Sequence, residues 1–183
     1  MPPEEASPAR KANGTRHPIN FLRKTLEFFA HNTFCSESEK MRVFIDTNVF
    51  LNVWFREVNP KTGKEYWRLS AEFLKRLGNF ESFTSRDVIF EIKKVLGECG
   101  VDEQKILEKV EAVKIIVDRV VKVTREDRAE ASRLMDDMGI EDIFDARNAA
   151  ICKRLNAVLV SRDRELASKL KGYVRVAEPE ELL

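Results

Sequence analysis

The chain has 183 residues, with 32 Lys plus Arg against 31 Asp plus Glu and a hydrophobic share of 43%. That length and composition suffice for one well-cored domain with an appendage, and the balanced charge argues neither for nor against a polyanionic partner. Three widely spaced cysteines (Cys35, Cys99, Cys152) make no metal or disulfide framework, no apolar run nears the roughly 20 residues of a membrane span, and both histidines (His17, His31) lie in the N-terminal segment, which excludes a histidine zinc site or a histidine general base from the main body.

With no signal peptide, the cysteine usage points to a cytoplasmic location. Residues 1–16 are rich in Pro, Ala and charge without periodicity, as in disordered segments. From Pro18 the residues Ile19, Leu22, Leu26, Phe29 and Ala30 recur at helical spacing, and residues 35–40 read as a linker. Two readings of residues 1–40 stay open. They are an extension whose amphipathic helix docks on the domain or on a partner, or Met41 is the native start.

The stretch RVFIDTNVFLNVW, Arg42 to Trp54, organises the remainder. Val43, Phe44 and Ile45 form an apolar run of the kind found in strands buried on both faces. The run ends on Asp46, Thr47 and Asn48, and Thr47 to Phe55 reads as a short helix. Residues 58–64 are a loop. Glu65 to Leu77 is amphipathic through Trp67, Ala71, Phe73, Leu74 and Leu77, and stops at Gly78 and Asn79. Phe80 to Thr84 is a short strand. Ser85 is placed to cap a helix running to about Glu98, with Asp87 in its first turn. A helix is expected over Asp102–Val113 and a strand over Ile115–Val123. Thr124 caps a helix over Arg125–Met138 that Gly139 stops. Another helix covers Glu141–Leu155, a short all-apolar strand covers Ala157–Val160, and a helix over Glu165–Leu170 and a strand over Tyr173–Val176 finish the chain. Strands alternating with helices predict a three-layer α/β/α sandwich with a mostly parallel central sheet.

In open α/β sheets, ligands bind beyond the carboxyl ends of the strands. Asp46 ends one buried strand and Asp163 follows another by three residues. Asp142 and Asp145 are three apart at a helix start, hence on one face, and Glu91 lies in the helix after the second strand. Each acid also has a plain structural reading. Asp46 and Asp163 can cap helices, Asp142 and Asp145 can answer a helix dipole, and Glu91 can be a solvated helix residue. Their coincidence at one sheet edge favours a site. Crowded carboxylates repel one another unless a cation sits among them, and all-oxygen ligation suits Mg²⁺ or Mn²⁺ rather than zinc. Such an ion can lower the pKa of a bound water and neutralise charge on a phosphodiester oxygen. The sequence DTN at 46–48 lacks the second Asp that a haloacid-dehalogenase-like phosphatase needs.

Four blocks, VFIDTNVFLN, TSRDVIFEIKKVL, DARNAAICKRLNAVLVSRD and YVRVAEPEELL, resemble the PIN-domain ribonucleases, over Met41 to Leu183 and in the family's order. The resemblance implies an Mg²⁺- or Mn²⁺-dependent endoribonuclease in which Asp46, Glu91, Asp145 and Asp163 are the acidic quartet. In that reading Asp46, Asp145 and Asp163 hold metal, with Asp142 as an outer ligand, and Glu91 orients a water. Thr47, Asn48 and Ser161 fall on supporting positions, Ser161 standing where Thr is more usual. Arg147, Arg162 and Arg164 surround the expected site and are assigned to RNA, with Arg56, Lys61 and Lys64 on the loop beyond the first helix. The family further implies single-stranded or looped RNA as substrate, a homodimer, and, for toxin-type members, a small antitoxin partner. A catalytically weak RNA-binding or scaffold module is the alternative. Helix Glu65–Leu77 is a candidate dimer face, or else core packing.

Overall fold

The computed structural model describes residues 40–183. The helical pattern at 18–30 and the question of how residues 1–40 relate to the domain lie outside the described residues. The central strand β1, Arg42–Ile45, carries three consecutive fully buried side chains, as the apolar run predicts. It pairs on one side with β2 (Glu81–Ser85) and on the other with β4 (Val158–Val160), in the registers Phe44 to Phe83 and Phe44 to Leu159. Strand β3 (Arg119–Val121) extends the sheet beyond β2, and β5 (Val176–Ala177) extends it beyond β4. The order is β3-β2-β1-β4-β5, and every pairing is parallel.

Seven helices among the described residues connect and cover these strands in a three-layer α/β arrangement. They are α1 (Thr47–Phe55), α2 (Tyr66–Lys75), α3 (Arg86–Glu98), α4 (Glu103–Ile116), α5 (Arg125–Met138), α6 (Ile143–Leu155) and α7 (Arg164–Lys169). Each of α1, α3, α4, α5, α6 and α7 starts on a side-chain cap. Asp46, Ser85, Asp102, Thr124, Asp142 and Asp163 accept backbone N–H groups of their own first turns. Gly139 ends α5 at φ 64°, a left-handed conformation that costs glycine least.

The core gathers Phe44, Phe50, Phe73 and Phe83 with Ile45, Ile92, Leu96, Ile151 and Leu159 between sheet and helices. Helix α2 packs on α1 and on a closing 3-10 turn, Pro179–Leu182, and its Phe73 is fully buried. Phe73 and Leu74 of α2 thus pack on the domain's own core.

Two strand expectations shift. The run Ile115–Val123 is not one strand: α4 continues to Ile116, and only Arg119–Val121 joins the sheet. Val113 and Val117, four residues apart, are both buried, and so hold the chain in helical step past Val113. The last strand is Val176–Ala177 rather than Tyr173–Val176, because Tyr173 and Val174 still bond back to Leu170 at the end of α7.

Candidate active site

The chain runs from β1 outward through β2 to β3, then crosses back to place β4 on the far side of β1. The boundary between β1 and β4 is therefore where the strand order reverses, the crevice in which α/β sheets bind ligands. Asp46 stands at the end of β1, and Ser161, Arg162 and Asp163 stand at the end of β4.

A hydrogen-bond network joins the two strand ends. Asp46 N–H continues the sheet ladder to Val160 C=O at 3.1 Å. Ser161 Oγ donates to Asp46 Oδ2 at 2.8 Å, and Asn48 Nδ2 donates to the same oxygen at 2.6 Å and to Ser161 Oγ at 2.8 Å. Thr47 N–H donates to Asp46 Oδ1 at 2.8 Å. Arg162 N–H donates to Asn48 Oδ1 at 3.2 Å, and Asp163 N–H donates to Ser161 Oγ at 3.1 Å. The Thr47 hydroxyl donates to Glu91, which carries the network onto α3. Thr47, Asn48 and Ser161 therefore hold carboxylates in fixed orientations.

The electrostatics are those of a crowded acidic cleft. Burial pushes the Asp46 carboxyl up to about 6, with Glu91 and Asp163 adding to the rise, while Ser161 and the Thr47 N–H pull against it. Asp145 rises to about 7, first through burial and then through Asp46, Asp142, Asp163 and Glu91. No hydrogen bond among the described residues supports its charge. All five acids thus share one field. Three of them also do structural work as helix caps: Asp46 for α1, Asp142 for α6 through Phe144 N–H at 2.6 Å, and Asp163 for α7 through Leu166 N–H at 2.9 Å. Capping leaves these carboxylates room for a further contact, since a carboxylate oxygen has lone pairs to spare after one backbone bond.

No group of three or more His, Cys, Asp or Glu side chains among the described residues is arranged to hold a metal ion as it stands. The donor set itself, carboxylates and hydroxyls without nitrogen or sulfur, has the chemistry of a hard divalent cation site.

The basic residues divide. Arg164 is largely exposed and only loosely paired with Glu178 at 3.2 Å. Arg147 is partly buried, bridges to Asp87 at 3.3 Å and lies over the Phe144 ring. Arg162, expected to face RNA, points inward instead. Its side chain is 7% exposed, pairs with Glu180 at 2.8 Å and with Glu178 at 3.4 Å, and stacks on Tyr66. A guanidinium so enclosed ties the end of β4 to α2 and to the C-terminal turn. Lys64 joins the same two glutamates.

Asn148 is a polar residue that the sequence reading passed over. Its Oδ1 accepts from Ser85 Oγ at 2.9 Å, and that hydroxyl also caps α3 at Val88 N–H. The bond fixes α6, which carries Asp145, against α3, which carries Glu91. Its signal was an amide inside the buried segment Ala146–Cys152.

Residues 43–171 match the PIN domain family model, and the chain belongs to that family. PIN domains are generally nucleases, and PIN nucleases typically use divalent metal ions. No curated protein sequence matches the chain. Solved structures share its fold at low identity. A toxin–antitoxin complex from Klebsiella pneumoniae aligns at TM-score 0.54 and 12% identity, over 75% of this chain and 97% of that one. VapBC2 from Rickettsia felis, bound to a DNA fragment from its promoter, aligns at 0.53 and 14%, over 75% and 98%. A Pyrobaculum aerophilum protein aligns at 0.55 and 19%, over 79% and 94%. No helix among the described residues is long and apolar enough to cross a membrane.

Proposed function

We propose that this chain is a divalent-metal-dependent endoribonuclease of the PIN family. The observation that carries the reading is the shared field of Asp46, Glu91, Asp145 and Asp163 at the β1–β4 switch point, in which burial and like charge lift Asp145 to about 7. Asp46, Asp145 and Asp163 would hold Mg²⁺ or Mn²⁺, with Asp142 as an outer ligand. When bound, the ion supplies acidified water and neutralises charge on the scissile phosphate.

The chain's own residues do the rest. Ser161, Asn48 and the Thr47 N–H fix the Asp46 carboxylate. Thr47 donates to Glu91, which would orient a water. Arg164 and Arg147 would offer the cationic field that draws a phosphate backbone toward an acidic cleft. The products would carry 5′-phosphate and 3′-hydroxyl ends.

A cytoplasmic location, a homodimer and a small antitoxin-like partner belong to the same proposal. The partner reading is supported by structural likeness to the Klebsiella and Rickettsia complexes. The alternative is an RNA-binding or scaffold module with weak or no catalysis. The test is cleavage of structured RNA in Mn²⁺ against EDTA, with Asp46→Asn and Asp145→Asn. Loss of cleavage in EDTA and in both variants is expected. Cleavage undiminished in the variants overturns the assignment, and RNA binding without cleavage by the wild type selects the module.

A further inference from the structure

Two phenylalanines immediately precede two of the cleft acids: Phe90 before Glu91 and Phe144 before Asp145. Helices α3 and α6 bring their rings together, with centroids 6.0 Å apart and planes at 46°. Phe90 is 57% exposed, as open as any large apolar side chain among the described residues. An isolated exposed apolar side chain needs no explanation. A ring pair on the two helices that carry Glu91 and Asp145 is a different matter, since exposed apolar surface gains nothing from water. Arg147 lies over the Phe144 ring at 5.8 Å and is anchored by Asp87, so a cation sits beside the aromatic surface.

We infer that Phe90 and Phe144, with Arg147 beside them, form a stacking platform for one unpaired base of a single-stranded nucleic acid entering the acidic cleft. The inference rests on the nuclease reading above. A flat π-face accepts any base without reading its hydrogen-bonding edge, and a neighbouring guanidinium meets the adjoining phosphate. In a duplex the base faces are already stacked on their neighbours, so the platform selects single strands and loops. It acts on binding rather than on the chemical step, because neither ring carries a group that can move a proton or hold a cation.

The experiment uses the full chain and a single-stranded oligoribonucleotide carrying one 2-aminopurine, whose fluorescence falls on stacking. Binding is read in Ca²⁺, which neutralises carboxylates but acidifies bound water less than Mg²⁺ or Mn²⁺. Cleavage is read separately in Mn²⁺. Wild type and Phe90→Tyr are expected to quench the single strand and not the matching duplex. Phe90→Ala and Phe90→Leu are expected to lose the quench and to raise KM roughly ten-fold with kcat unchanged, the loss of one stacked base. Phe90→Leu keeps the apolar surface, so wild-type quench and KM in that variant overturn the platform. So does a wild-type dimer that falls to monomer in Phe90→Ala on sedimentation, which places a second copy of the chain on this face. Quench without any cleavage by the wild type removes the nuclease reading and leaves the platform standing. Cleavage with no effect of Phe90→Leu does the reverse.

Discussion

Ser161 Oγ donates to Asp46 Oδ2 at 2.8 Å, joining the ends of two strands 115 residues apart in sequence. That bond favours the ionised form of Asp46 against the burial that lifts it to about 6. Ser161→Ala should therefore raise the Asp46 pKa further. The acid limb of the pH–rate profile, or of the Asp46 carboxyl NMR titration, should move to higher pH. Ser161→Thr keeps the hydroxyl and should leave both in place. An unmoved titration in Ser161→Ala would show that Asn48 and the Thr47 N–H hold the carboxylate without it.

Asp145 should make the metal-free chain less stable at neutral pH. Its folded-state value, about 7, lies above its ordinary value of 3.8. Between those two values the folded chain keeps a proton that the unfolded chain has lost, so stability falls as pH rises through the window and the penalty is complete above it. Asp145→Asn removes the penalty. At pH 8 in EDTA the variant should unfold at higher urea than wild type, by about 1–2 kcal/mol after discounting for solvent screening. Near pH 4 the two should converge. A variant less stable than wild type at pH 8 would refute the crowded-acid account.

Divalent ions should reverse the same penalty. Binding to the folded chain alone stabilises it by about 2.7 kcal/mol when the ion is at a hundred times its dissociation constant. Mn²⁺ should raise the melting temperature of wild type at pH 8 and do much less at pH 5, where protons hold Asp46 and Asp145. Asp46→Asn should abolish most of the gain. Equal gains at both pH values would point to ion binding elsewhere.

The Arg162 anchor predicts a purely structural phenotype. Removing Arg162 leaves the partly buried Glu180 with Lys64 as its only cationic partner, so Arg162→Ala should cost about 2–4 kcal/mol in unfolding free energy. Arg162→Lys should not restore it, because an ammonium cannot span Glu178 and Glu180 while stacking on Tyr66. Burial alone would raise Glu180, but Arg162 and Lys64 outweigh it and hold the carboxyl down to about 2. Its contribution is complete above the ordinary glutamate value of 4.5 and is lost as pH falls toward 2. Acid unfolding monitored in wild type and Glu180→Gln should differ most above pH 4.5 and converge toward pH 2.

The pattern of residues along the chain was sufficient for much of this molecule. Val43–Ile45 is apolar without a break, so it had to be a strand covered on both faces, and Ser85, Thr124 and Gly139 mark helix ends through local chemistry that neighbours do not alter. The apolar run Ile115–Val117 reads as the start of a strand in sequence, and the packing of Val113 and Val117 keeps it helical to Ile116.

The acids followed the same division. That Asp46 and Asp163 each follow a buried strand is a property of the chain. That β4 lies against β1, bringing Ser161 onto Asp46 and both Asp46 and Asp163 into the field around Asp145, is a property of the strand order, since parallel neighbours are chosen by crossover packing and not by local pattern. The fate of the arginines was likewise decided in three dimensions. Arg162 and Arg164 flank Asp163 alike in sequence, yet one is enclosed by Glu178, Glu180 and Tyr66 and the other is open to solvent. A charged side chain is buried only where partners from distant segments meet it, and only the folded chain brings those partners together.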